Sequence, residues 1–154
     1  MLKPKSPNNL EVELDLLTKG GKTMGATDKK ELIRRMWAEG GSFEGFLDCM
    51  ADDVRYTIIG TTKLSGTFNG KQDLVNRAFA PYMAQLETHG SMVTDNLIAE
   101  GDYVVQQGHG IGRRSKSGEE YNNTYCFVYR IANGKVKEVT EYADTELVTR
   151  AFGR

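Results

Sequence analysis

The chain of 154 residues is 39% apolar and 27% charged and carries a formal net charge of −1. That is the size and composition of one globular domain, with too little net charge for intrinsic disorder. No apolar run is long enough to cross a membrane as a helix, and the basic residues are scattered except at Arg113-Arg114-Ser115-Lys116, so neither a membrane nor nucleic acid is an expected partner.

Residues 1–26 hold Pro4, Pro7, Asn8, Asn9 and the run Lys19-Gly20-Gly21-Lys22, a composition that reads as a flexible N-terminal extension ahead of a domain over 27–154. Lys3 and Lys5 precede no apolar core, because Glu11, Glu13 and Asp15 interrupt Leu10 to Leu17; a signal peptide is not read here. Cys49 and Cys126 form no disulfide framework and fit a reduced, cytoplasmic setting. Two histidines and no Cys-x-x-Cys pair leave no zinc-ligand pattern, so no metal and no cofactor are expected.

Asp28 with Glu31 three residues on has the form of a capping box, followed by Leu32, Ile33, Met36 and Trp37 at helical spacing. Gly40-Gly41 ends that helix, and Ser42 or Glu44 begins a second with Phe43, Phe46, Leu47 and Met50 as its stripe. Val54, Tyr56 and Ile58 then alternate as one side of a strand. Gly60, Gly66 and Gly70 punctuate a loop before a third helix, from Asp73 to Leu86, which Pro81 kinks or divides. Four strands follow, over Ser91–Glu100, Tyr103–Arg113, Tyr121–Ile131 and Val136–Asp144. Helices first and an antiparallel meander afterwards give an α+β fold rather than a parallel doubly wound sheet.

The last hairpin decides which side chains share a face. Ala132-Asn133-Gly134 can close a two-residue turn around Asn133-Gly134 or a three-residue turn with Gly134 in the left-handed position. The three-residue turn is preferred because it keeps the apolar side chains together: Phe127 pairs with Val139, Tyr125 with Glu141 and Asn123 with Ala143. Tyr121, Tyr125, Phe127, Tyr129, Ile131, Val139 and Ala143 then form one apolar face, with Asn123 and Glu141 as its polar members. The two-residue alternative moves Glu141 to the side of Cys126 and Val128.

A carboxylate on an apolar face must find a partner or take up a proton, and a raised pKa suits a general acid or base near neutrality. Glu141 is therefore the first candidate for catalysis, against the plainer reading of a wet rim residue paired with Arg34 or Arg35. Tyr56, on the inward side of its strand, can donate to Glu141 or to a ligand oxygen. With Glu141, Tyr56 is a catalytic candidate; Tyr56 and Asn123 are expected to orient the substrate oxygen, and Asn123, Tyr125, Phe127, Trp37, Gln106, Val139, Phe79 and Met83 to bind the ligand. Gln106, Gly108, Gly110 and Gly112 share a parity, and the missing side chains make that side hollow. His109, of opposite parity, and Asp144 are further candidates for chemistry.

Several stretches resemble the SnoaL-like family of the nuclear-transport-factor-two superfamily: Met50-Ala51-Asp52-Asp53-Val54-Arg55-Tyr56, the Gly60 to Gly70 loop, Tyr121-Asn122-Asn123-Thr124-Tyr125, Gly134-Lys135-Val136 and Glu141-Tyr142-Ala143-Asp144-Thr145. The resemblance spans about 27–152. It implies a cone of curved, mostly antiparallel sheet with three N-terminal-side helices around one pocket, often dimeric through the sheet, and activities that include polyketide cyclisation, ketosteroid isomerisation and epoxide hydrolysis. The basic Asp of the ketosteroid isomerases is replaced here by Ile58. The Arg and Asp of the limonene-epoxide hydrolases fall at Gly108 and Gly110. Their first-strand Tyr matches Tyr56 and their last-strand acid matches Glu141. The expected activity is that of an isomerase or cyclase that uses Glu141 as a proton shuttle on a small apolar carbonyl compound. The alternative is a non-catalytic small-ligand-binding or dimeric scaffold protein. A homodimer is expected through an outer sheet face of Thr124, Cys126, Val128, Val136, Thr140 and Tyr142.

Overall fold

A computed structural model of the chain describes residues 23–154. Most of the extension read over 1–26 therefore lies outside the described residues. Helix α1 (Ala26–Met36) starts earlier than the sequence suggests: Gly25 is the N-cap, and Asp28 sits one turn in, its carboxylate accepting the Gly25 N–H at 3.2 Å. Leu32, Ile33 and Met36 form the buried stripe. Helix α2 (Phe43–Asp48) is capped by Ser42, whose Oγ accepts the Gly45 N–H at 3.0 Å.

Strand β1 (Met50–Ile58) buries Val54 and Tyr56, as the period-two pattern requires. A short strand β2 (Gly66–Asn69) pairs antiparallel with β1, where the sequence reads only a loop. The third helical stretch is divided ahead of Pro81, into α3 (Lys71–Leu74), a π turn (Val75–Phe79) and α4 (Ala80–Ala84). Proline has no N–H to donate, and the wider turn, in which the Ala80 N–H reaches back to the Val75 carbonyl, absorbs the break. Strands β3 (Leu86–Glu100), β4 (Tyr103–Ser115), β5 (Thr124–Ala132) and β6 (Lys135–Ala143) complete a six-stranded sheet in the order β2-β1-β6-β5-β4-β3, with β1 and β6 its parallel pair. The sheet is curved and unclosed. A last helix, α5 (Thr145–Phe152), lies beyond the three helices expected; it packs Val148, Ala151 and Phe152 against Leu86 and Tyr121.

The β5–β6 hairpin combines features of both turn readings. Its tip is the two-residue turn, with Asn133 (φ 52°) and Gly134 (φ 72°) both left-handed and Ala132 opposite Lys135. The register then slips: Ile131 pairs with Val136, but Arg130 pairs with Glu138, so Lys137 is an extra residue. The bulge restores the face that the three-residue turn would have given, with the pairs displaced. Phe127 faces Glu141, Tyr129 faces Val139 and Tyr125 faces Ala143. It also turns Val136 into the core, fully buried, which removes that residue from the outer face.

Candidate active site

The inward face of the sheet and the helices enclose a cavity of about 340 Å³. Tyr56 and Ile58 of β1, Met92 of β3, Tyr125 and Phe127 of β5 and Glu141 and Ala143 of β6 form the sheet wall. Trp37, Phe43, Phe46, Phe79, Tyr82 and Met83 form the helical wall. Tyr125 stacks on Phe127 at 5.3 Å between ring centroids, Trp37 leans on Phe127 at 5.4 Å, and Phe79 meets Tyr56 edge-on at 5.6 Å. Such offset and edge contacts hold flat walls rigid around the space.

Glu141 is half-buried, its open part turned to this cavity. The Tyr56 hydroxyl donates to its Oε2 at 2.6 Å, and among the described residues no other protein donor reaches the carboxylate. Removal from bulk water pushes the Glu141 carboxyl above the ordinary carboxylate range; the Tyr56 hydrogen bond and the charge of Arg113 pull it back without cancelling the rise. Burial, reinforced by Glu141, raises the Tyr56 hydroxyl well above its usual value, so it stays protonated and remains a donor.

The remaining expected site residues divide. Tyr125, Phe127, Trp37, Phe79 and Met83 line the cavity as anticipated. Asn123 does not. It is fully buried and spends its amide on the start of α5, Oδ1 accepting the Asp144 N–H at 2.9 Å while Nδ2 donates to the Asp144 carbonyl at 3.0 Å and to the Tyr121 hydroxyl at 3.3 Å. Gln106 lies behind the wall: its Oε1 accepts from the Tyr129 hydroxyl at 2.6 Å and its Nε2 donates to Thr94 at 2.7 Å, while the Trp37 indole donates to the same Tyr129 oxygen at 2.9 Å. Val139 is likewise core, in register with Tyr56. His109 points to the outer face, where Nδ1 meets the Asp95 carboxylate at 2.9 Å. Asp144 is the N-cap of α5, accepting from the N–H groups of Glu146 and Leu147. Neither lines the cavity, because strand parity directs His109 outward and capping commits Asp144 to backbone.

The residue that sequence reasoning missed is Arg113. Gly90 of β3 and Gly112 of β4 stand opposite one another, both left-handed (φ 54° and 68°). The inward parity of Val104, Gln106, Gly108 and Gly110 breaks there, and Arg113 turns inward instead of Gly112. Its guanidinium fills the space above Gly110, where an added Cβ would stand 3.2 Å from Nη1. Of the side read as hollow from the glycines, only the space above Gly110 remains, and Arg113 occupies it; a Cβ at Gly108 would meet the Val93 carbonyl oxygen at 2.4 Å, and Gly112 lies off that side. The Tyr82 hydroxyl, on the same wall, is buried without a partner among the described residues. Also among the described residues, no cluster of three or more His, Cys, Asp or Glu is placed to hold a metal ion.

No curated protein matches the chain at a significant level. Solved structures share its fold. An NTF2-like protein from Burkholderia xenovorans matches with 23% identity and a TM-score of 0.66, over 83% of this chain and 98% of its own. A putative SnoaL-like polyketide cyclase from Jannaschia sp. matches with 20% identity and a TM-score of 0.64, over 86% and 98%. A protein with a ketosteroid isomerase-like fold from Catenulispora acidiphila, in complex with trimethylamine, matches with 15% identity and a TM-score of 0.65, over 80% and 92%. The SnoaL-like domain model matches residues 30–139, well over half of the sequence, and the chain belongs to that family.

Proposed function

We propose that the protein is a small-molecule isomerase- or cyclase-like enzyme in which Glu141 shuttles a proton on a small, largely apolar carbonyl compound. The observation that carries this reading is the Glu141 carboxylate inside an aromatic cavity, held among the described residues by one donor, Tyr56 Oη at 2.6 Å, with its pKa raised by burial. A base of that kind can take a proton from carbon next to a carbonyl, leaving the electron pair as an enolate. Isomerisation follows when the Glu141 acid returns the proton to another carbon. Cyclisation follows when the enolate carbon attacks a second carbonyl of the same molecule, and the new alkoxide takes the proton. Tyr56 is a positioning residue: its hydroxyl is already committed to Glu141, so it fixes the carboxylate rather than the substrate.

The exposed Ile98, Tyr103, Ile111 and Tyr142 support a homodimer through the outer sheet face. The free Cys49 and Cys126 suit a reducing, cytoplasmic location.

The test is a screen of cyclic ketones, enones and epoxides for turnover, repeated with Glu141→Gln. Loss of about 10²–10⁴ in rate with ligand affinity nearly intact is the expected result. Full turnover by Glu141→Gln removes the residue from the mechanism. Ligands that bind and are never converted leave the non-catalytic binder.

A further inference from the structure

The charged side chains along the cavity are Glu39 at the exposed rim, Glu141, and Arg113, with the titratable His89 beside it on the rim. Arg113 is the least explained of them. Its Nε donates to the His89 carbonyl at 3.2 Å and its Nη1 to the Tyr125 hydroxyl at 3.2 Å. A guanidinium has five N–H donors, and among the described residues no carboxylate stands within ion-pair distance of this one and no acceptor meets Nη2. The two bonds fix the plane of the group without neutralising it. Its position is also built: the opposed Gly90 and Gly112 turn it inward, and Gly110 clears the space it fills. From it an aromatic wall runs through Tyr125 and Phe127 to Trp37.

We propose that Arg113 is an anion-binding end of the cavity, and that the compound presented to Glu141 is a planar organic anion, its charge on an oxygen conjugated to an apolar ring system. This deepens the proposed function and rests on it only for what Glu141 then does. The guanidinium supplies a positive charge and a fork of donors suited to such an oxygen, while the stacked rings of Tyr125 and Phe127 receive the flat body. About 340 Å³ accommodates a two-ring compound of this kind.

The test is a matched pair of probes, 2-naphthoate and 2-acetonaphthone, which share a flat bicyclic body and differ in charge. In calorimetric titration of the whole protein, the naphthoate binds at least about 10-fold more tightly. Arg113→Gln brings the ratio to about one while ketone affinity stays within about 2-fold, and Arg113→Lys, which keeps the charge but not the fork, retains part of the preference. Glu141→Gln keeps or strengthens the preference, since it removes a carboxylate from the cavity. Equal affinities in the unaltered protein overturn the proposal, as does a preference that survives Arg113→Gln or disappears in Glu141→Gln. Because none of these readings involves turnover, anion selection can fail while the proton shuttle stands, and the reverse.

Discussion

Tyr56 and Glu141 lie on adjacent parallel strands, and the hydroxyl of the first donates to the carboxylate of the second at 2.6 Å, so two strands brought together by the sheet make one acid–base unit. Tyr56→Phe removes the one donor among the described residues that favours the charged form of Glu141, and the carboxyl pKa moves further up. If the ionised carboxylate is the working base, the acidic limb of the rate profile shifts to higher pH, while the plateau above it falls far less than in Glu141→Gln. The pH dependence of kcat/KM checks this, and an unmoved acidic limb would show that Tyr56 does not tune the base.

The same raised carboxyl has a signature in stability. In the unfolded chain Glu141 ionises in the ordinary carboxylate range; in the folded chain it holds its proton to higher pH. The folded state therefore binds more protons across that window, and stability is lost as pH rises from the unfolded value through the folded one. Glu141→Gln cannot ionise and escapes the loss. Its melting temperature is expected to match the unaltered protein at about pH 4 and to exceed it at about pH 8, since the reference carboxyl titrates between them. Circular dichroism melts across that range test the sign: a gap that narrows with rising pH contradicts it.

Gly90→Ala attacks the bend that admits Arg113. An alanine Cβ there would lie 2.0 Å from the Ile111 carbonyl oxygen, on a backbone with φ 54°. Strain of the left-handed conformation and overlap together cost about 2 kcal/mol or more. Denaturant unfolding reads that loss, and refinement of a crystal of the variant is expected to show Arg113 displaced from the cavity.

Asn123→Ala separates structure from chemistry. The residue ties β5 to the first turn of α5 through both Asp144 backbone groups. Its loss is expected to cost about 1–3 kcal/mol of stability through unsatisfied polar groups, with ligand affinity unchanged below the melting temperature. A selective loss of affinity at full stability would return Asn123 to the pocket.

The outer face predicts assembly. With Ile98, Tyr103, Ile111 and Tyr142 between 44% and 55% exposed, sedimentation at micromolar concentration is expected to give twice the 17.2 kDa of one chain. Ile111→Asp is expected to give the single mass with the fold intact.

How much of this was legible in the sequence depended on whether the deciding interaction was local. Val54, Tyr56 and Ile58, or Tyr125, Phe127 and Tyr129, announce their strands by alternation alone, and that alternation carried Glu141 to the correct face. Its partner residue was misread, because the extra residue at Lys137 belongs to the pairing of two strands and leaves no mark in either. Strand β2 is four residues, Gly66-Thr67-Phe68-Asn69, too short and glycine-bound to show a period. Helix α5 does leave a signal, Asp144 as cap with Val148, Ala151 and Phe152 at helical spacing, but the alternation of β6 runs on to Asp144 and masks it. Arg113 was hidden by the opposite effect: its inward turn needs Gly90 and Gly112 face to face, and nothing in one strand says which residue of the other stands opposite.

The parallel pairing of β1 with β6 also orders events during synthesis. Tyr56 leaves the ribosome 85 residues before Glu141, with β2 as its one available neighbour. Until Lys135–Ala143 has emerged, the β1–β2 pair can pack its apolar face on the helices around Leu74 and Phe79 but keeps an open edge, so the nascent chain must wait for its last strand before the sheet is complete. Contacts of such long sequence separation fold slowly and expose unpaired edges meanwhile. The strand that carries the proposed base is thus also the strand that completes the sheet.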